Sequence, residues 1–186
     1  MTPRWVVFDL DGTLVDSDDA LIQPYLRLGF TRDDVRLGPL LVDECARLGI
    51  EVDDYIAHYD TDDVSAFAGV DEVIAALPRW AVASNKLRSN GVAELARFGW
   101  NPACAFFAED FGGRSKYLAP VLDRLGVAAS DVVFVGDTAH DRVCALDAGA
   151  RFALAGWNAR AAALAEIGDL VLDRPSDLLD HVDLTG

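Results

Sequence analysis

Short, continuously apolar runs recur along this chain: RWVVFDL at 4–10, RWAVAS at 79–84, CAFFA at 104–108, DVVFVGD at 131–137 and RFALAG at 151–156, with a weaker DLVLD at 169–173. Continuous rather than alternating apolarity is the pattern of strands buried on both faces, and stretches with helical spacing lie between these runs. Strands alternating with helices make the sheet parallel, so the expected class is α/β, a Rossmann-like doubly wound parallel sheet. Later runs follow one another at about 20–25 residues, an ordinary crossover length, whereas the first and second lie about 70 residues apart. A segment is therefore inserted after the first strand.

The insert, residues 17–77, shows helical stretches and no convincing strand. In DDALIQPYLRLGF, the residues Leu21, Ile22, Tyr25, Leu26 and Leu28 recur at helical spacing behind Asp18 and Asp19. GPLLVDECARLGI opens with Pro39 and closes at Gly49, the usual helix asymmetry. VDDYIAHY and GVDEVIAAL supply two more stretches. The expected organisation is a core of residues 1–16 and 78–186 with a small helical cap of residues 17–77.

A chain of 186 residues, 52% of them hydrophobic, suffices for one domain with such an insertion. Its 31 acidic against 16 basic residues leave a net charge of -15, which disfavours nucleic acid or an anionic membrane as partner. An anionic substrate would need a local positive centre: a metal, a few placed cations, or helix N-termini. Cys45, Cys104 and Cys144 are far apart and lack the spacing of a zinc or redox pair, so they read as free thiols. No segment approaches the length of a membrane span, and the expected location is the cytoplasm. The composition is compatible with a monomer or a homodimer.

Ligands of open parallel sheets bind at the carboxyl ends of the strands. Those ends carry Asp9-Leu10-Asp11-Gly12-Thr13, then Ser84-Asn85-Lys86, then Gly136-Asp137-Thr138-Ala139-His140-Asp141, with the glycine-rich FGGRSK loop before the last. Taken singly, each has a structural explanation: Asp11-Gly12 as a turn, Ser84 and Asp137 as helix caps, Asp141 as a first-turn acid, Arg114 and Lys116 as solvated charges. Together they describe carboxylates converging on a divalent cation, a hydroxyl and helix N-termini facing an anion, and a lysine balancing charge. Hard oxygen ligands suit Mg²⁺, and the combination suits phosphoryl transfer.

The motifs FDLDGTLVDS and GDTAHD, with Ser84-Asn85 and a lysine between them, resemble the haloacid dehalogenase superfamily, specifically phosphatases with a small helical cap after the first motif. The resemblance covers nearly the whole chain. It implies a Mg²⁺ requirement and a phosphoaspartyl intermediate. It makes Asp9 the nucleophile and a metal ligand, and Asp11 the proton donor to the leaving alcohol, with its backbone carbonyl on the metal. Ser84 would hydrogen-bond the phosphoryl group, helped by Thr13 and the backbone around Asn85. Asp137 would bind the metal directly, and Asp141 would be a ligand or an outer anchor. An aspartate at position 11 argues for phosphate esters over carbon–halogen bonds. The cation position falls to Lys116 or, by spacing, to Arg114, with Lys86 a further substitute. Asp16 reads as a loop or cap residue, and His140 as non-catalytic.

The resemblance thus implies a Mg²⁺-dependent phosphatase for small phosphorylated metabolites. A phosphomutase using the same aspartates, or a non-catalytic phosphate-binding protein, are the alternatives. Substrate choice belongs to the cap, whose segments resemble those of phosphoglycolate-phosphatase-like members. Its arginines, Arg27, Arg32, Arg36 and Arg47, read as solvated helix-face charges or, alternatively, as contacts for a distal anion.

Overall fold

The computed structural model describes residues 2–185. All six apolar runs become strands of one parallel sheet: β1 (Trp5–Phe8), β4 (Trp80–Ala83), β5 (Ala105–Phe106), β6 (Val132–Gly136), β7 (Arg151–Ala155) and β8 (Leu170–Leu172). Their order in space is β5-β4-β1-β6-β7-β8, with every pairing parallel. From β1 the chain crosses to β4 and on to β5, then returns to lay β6 on the other side of β1. The switch point lies between β1 and β6, where an open sheet of this kind leaves a crevice at its carboxyl edge.

Successive strand residues divide between two cores, as a period of two requires. On one face Val6, Phe8, Val82, Val133 and Val135 pack with Leu95 of α5 (Arg88–Phe98) and with Val70 and Val73 of α4 (Val70–Ala76). On the other, Val7, Ala81, Ala83, Val132 and Phe134 meet Val121 of α6 (Ala119–Leu125), Cys144 and Ala145 of α7 (Ala139–Ala148) and Ala161 of α8 (Ala159–Ala162). Helices on both faces confirm the doubly wound class.

The insert is helical where expected, with α1 (Asp18–Arg27), α2 (Leu41–Leu48) and α3 (Val52–Ile56). Tyr25, Cys45 and Tyr55, one from each helix, form a separate small core, and the Tyr25 and Tyr55 rings meet at 4.8 Å. Two features differ from the sequence reading. A two-residue antiparallel ribbon, β2 (Val15–Asp16) with β3 (Ser65–Ala66), closes the neck of the insert, although no strand was expected there. Helix α4, within the range 17–77 assigned to the cap, packs on the sheet and against the turn Pro175–His181 instead. Among the described residues no helix is long and apolar enough to cross a membrane.

Candidate active site

The register of the sheet builds the site. Phe8 of β1 pairs with Val135 of β6 and with Val82 of β4, so the chain leaves all three strands side by side. Asp9 follows Phe8 and donates its N–H to the Val135 carbonyl. Asp137 follows Gly136 on the neighbouring strand, and Ser84 follows Ala83 on the other side. Gly12 has φ +72°, and a Cβ there would meet Asp137 Oδ2 at 2.3 Å. Gly136 has no room for a side chain either, because a Cβ would lie 2.4 Å from Asp141 Cβ. These two glycines let the acidic loops approach each other.

Asp9, Asp137 and Asp141 are all buried, and each offers an oxygen within 4.8 Å of the others. Thr138 caps α7, accepting from the Asp141 N–H, while Asp141 Oδ2 accepts from the Thr138 N–H at 2.9 Å and hydroxyl at 2.6 Å. That reciprocal cap fixes the carboxylate in place. Asp141 Oδ1 completes no hydrogen bond of good geometry among the described residues and faces Lys116 Nζ at 2.7 Å. Lys116 Nζ also lies 2.6 Å from Asp9 Oδ2, and the Leu10 N–H donates to Asp9 Oδ1. Arg114 is exposed and donates to the Tyr117 hydroxyl, so Lys116 and not Arg114 reaches the carboxylates.

Burial pushes the Asp9 carboxyl up to about 6, against the Lys116 charge and with Asp141 adding to the rise. Asp137 is driven well above the ordinary carboxylate range by burial and then by Asp9 and Asp141. Burial opposes the Lys116 charge, but Asp141 and Asp9 outweigh it and hold the ammonium charged beyond its usual range. Three acids in a poorly solvated space demand cations. The hard oxygen donors and the like-charge strain fit a divalent metal ion.

Thr13 is buried and donates weakly to Asp137 Oδ1, at 3.3 Å. Ser84 is buried beside the cleft, its hydroxyl accepting from the Lys86 N–H at 3.3 Å. Asn85 lines the cleft, but its side chain is committed as a bracket: Nδ2 donates to the Gly38 carbonyl and to Ser115 Oγ, while Oδ1 accepts from the Lys116 N–H. Asp16 is exposed on the neck ribbon, away from the acidic cluster. His140 is half-buried, and burial followed by the Lys116 charge keeps its imidazole below its usual range.

Sequence reading names Lys86 only as a substitute for the cation position, and misses Glu94, Arg160, Trp157 and Asn158 altogether. Lys86 does not serve Asp9: its Nζ pairs with Asp11 Oδ1 at 2.6 Å and with the fully buried Glu94 at 2.9 Å. Burial pushes Glu94 up to about 6, opposed by the Lys86 charge. Arg160 bridges Asp137 and Asp18. Asn158 donates to the Gly12 carbonyl and Trp157 to that of Thr13, so the loop after β7 clamps the turn after β1. Asn158 stands just past the end of the RFALAG strand, and reading that strand end as the others were read would have found it.

The cleft above these groups is small, about 90 Å³, with one wall formed by the insert through Leu21, Tyr25, Arg36, Pro39 and Tyr59. Three of the insert's arginines are engaged elsewhere: Arg27 with the His58 carbonyl, Arg32 with Asp19, and Arg47 with Glu44. Arg36 is exposed on the cleft wall, and its guanidinium makes no hydrogen bond or ion pair among the described residues.

The chain resembles known proteins over nearly its whole length. The chain is 28% identical to the phosphoglycolate phosphatase of Xanthomonas campestris pv. campestris (strain 8004), covering 95% of each chain. It is 29% identical to the pyrophosphatase PpaX of Bacillus velezensis, with 94% of each covered. Among solved structures, a hydrolase from Pseudomonas syringae superposes with a TM-score of 0.78 at 16% identity, covering 97% of both chains. A HAD-superfamily hydrolase of subfamily IA from Geobacter sulfurreducens gives 0.69 at 20% identity, covering 96% of this chain and 98% of the other. Residues 41–155, well over half of the chain, match the haloacid dehalogenase-like hydrolase family. The protein belongs to that family of hydrolases.

Proposed function

We propose that this hydrolase is a Mg²⁺-dependent phosphatase that cleaves small phosphorylated metabolites through a phosphoaspartyl intermediate on Asp9. The observation that carries the reading is the set of three buried carboxylates at the β1 and β6 strand ends, with Lys116 seated between Asp9 and Asp141. Relatives named phosphoglycolate phosphatase and pyrophosphatase support the choice of phosphorus as the centre attacked.

Asp9, Asp137, Asp141 and the Asp11 carbonyl are the groups that would hold the metal. When bound, it neutralises charge on the phosphoryl oxygens and on the nucleophile. The Asp9 carboxylate attacks phosphorus, the bond from phosphorus to the leaving oxygen breaks, and Asp11 gives that oxygen its proton. Lys116 and the Ser84 hydroxyl hold the phosphoryl oxygens during transfer, the kind of positioning and charge compensation that dominates phosphoryl-transfer catalysis. Water then attacks the phosphoaspartate, Asp11 takes the water's proton, and inorganic phosphate leaves Asp9 free.

The helical cap is better bounded at residues 17–63 than at 17–77, because Val64 and α4 join the core of the sheet. A cleft of this size admits a small ester, and Arg36 is the cap residue suited to a second anionic group on it. A cytoplasmic location fits three unpaired cysteines.

The test is phosphate release from a panel of phosphorylated metabolites, with Mg²⁺ or with EDTA, by wild type and by Asp9→Asn. Release that needs Mg²⁺ and disappears in Asp9→Asn is expected. No release by folded, Mg²⁺-loaded wild type from any ester would overturn the reading.

A further inference from the structure

The Asp11 carboxylate is not left to find its own position. Lys86 Nζ is almost wholly buried; it donates to Asp11 Oδ1 at 2.6 Å and to the Tyr59 hydroxyl at 2.8 Å, and is ion-paired with Glu94 Oε1 at 2.9 Å. The Tyr59 hydroxyl in turn donates to Glu94 Oε1 at 2.8 Å, closing a ring of three groups behind Asp11. Glu94 is 0% exposed, and its other oxygen, Oε2, has no hydrogen-bond partner among the described residues. A carboxylate so placed is costly to bury and adds little to stability unless it holds something in place.

The ring has members from both parts of the molecule. Lys86 and Glu94 belong to the core, beside and within α5, whereas Tyr59 belongs to the insert, where its ring stacks on Tyr55 at 6.0 Å. The acidic cluster at Asp9, Asp137 and Asp141 draws on Lys116 and Arg160 and does not use this ring.

The geometry points to Tyr59 as a positioning residue through which the insert, by way of Lys86 and Glu94, aims the Asp11 carboxylate at the leaving oxygen. This rests on the phosphatase reading above, in which Asp11 protonates the departing alcohol. The reaction itself is unchanged: the bond from phosphorus to the alcohol oxygen breaks, that oxygen takes the Asp11 proton, and the new bond joins Asp9 to phosphorus. Tyr59, Glu94 and Lys86 exchange nothing with the substrate.

Leaving-group chemistry separates this role from a merely structural one. An alkyl phosphate needs its leaving oxygen protonated, whereas p-nitrophenyl phosphate releases a stable phenolate without help. Because kcat/KM covers only the steps up to the first departure, Tyr59→Phe should lower kcat/KM for the alkyl ester about 10-fold or more, a fraction of what general acid catalysis contributes. For the aryl ester kcat/KM should stay within about 2-fold of wild type, while its kcat falls with its KM because Asp11 also serves hydrolysis of the intermediate. Glu94→Gln should show the same pattern. Tyr59→Phe removes one oxygen atom, so it keeps the test available if Glu94→Gln does not fold. Equal losses on both esters, or no loss on the alkyl ester, in a folded Tyr59→Phe would overturn the proposal. Failure of wild type to release phosphate from either ester would instead overturn the phosphatase reading, and this proposal with it.

Discussion

Lys116 Nζ lies 2.6 Å from Asp9 Oδ2 and 2.7 Å from Asp141, so one ammonium joins the end of β1 to the first turn of α7. Its N–H is held in turn by Asn85 Oδ1, at 2.7 Å, which ties the FGGRSK loop to the end of β4. Lys116→Met should therefore lower kcat by about 10²–10³-fold, the scale for removing one charge-stabilising donor from a phosphoryl or oxyanion site. Arg114→Ala should leave the rate within about 2-fold, because the exposed Arg114 reaches only Tyr117. Steady-state phosphate release by the two variants checks both.

Arg160 pairs with Asp137 and ties it to Asp18 at the start of α1. A metal ion held by Asp137 would bring positive charge to a carboxylate that Arg160 also serves. Arg160→Leu should lower the melting temperature in EDTA, and Mg²⁺ should raise it by about 3 °C more in the variant than in wild type. Thermal melts of both proteins with EDTA and with saturating Mg²⁺ measure the difference. An equal rise in the two would show that Arg160 and the metal do not share Asp137.

Arg36 is set apart from the other three arginines of the insert by what it lacks, a hydrogen bond or ion pair of its guanidinium among the described residues. Arg36→Ala should raise KM about 10-fold for an ester carrying a second anionic group, such as a phosphorylated carboxylic acid, and leave kcat nearly unchanged. For a phosphate ester of an uncharged alcohol, KM should move less than about 2-fold. Parallel kinetics on the two substrates give the answer.

Away from the site, Arg142 clamps α7 to the segment before β8, donating from Nε to Asp169 at 3.1 Å and from Nη1 to Glu166 at 2.6 Å. Burial opposes the Asp169 charge, but the Arg142 hydrogen bonds outweigh it and hold the carboxyl below its ordinary value. A depressed carboxyl contributes stability above its unfolded pKa and loses that contribution as pH falls through the folded value. Arg142→Met should thus cost about 2 kcal/mol near neutral pH, with the gap from wild type narrowing below about pH 4. Urea unfolding of both proteins at several pH values tests the size and the sign.

Continuous apolarity made the sheet legible in the sequence. All six runs became strands, the four central ones almost wholly buried and the edge strands β5 and β8 only partly so, and the ends of β1, β4 and β6 marked Asp9, Ser84 and Asp137 for the same crevice. The ribbon of Val15–Asp16 with Ser65–Ala66 left no trace, since two residues are too few to show a period. Helix α4 was expected in the insert because an amphipathic pattern says that a face is buried, not against what. Glu94, Tyr59 and Arg160 were illegible for a related reason. Tyr59 meets Glu94 across 35 residues and Arg160 meets Asp18 across 142, and nothing local distinguishes a buried Glu on a helix from a solvated one. Lys86 was noticed, but only packing shows that it serves Asp11 and leaves Asp9 to Lys116.

The central claim is that Asp9 carries the phosphoryl group in mid-reaction. Acid-quenching the Mg²⁺-loaded enzyme during turnover and weighing the intact protein tests it most directly, with the modified peptide mapped afterwards. The account predicts a species heavier by one phosphoryl group, on the peptide containing Asp9, that is absent from Asp9→Asn and accumulates in Asp11→Asn with an aryl phosphate. Turnover without any such species, or with the label on another residue, would contradict it.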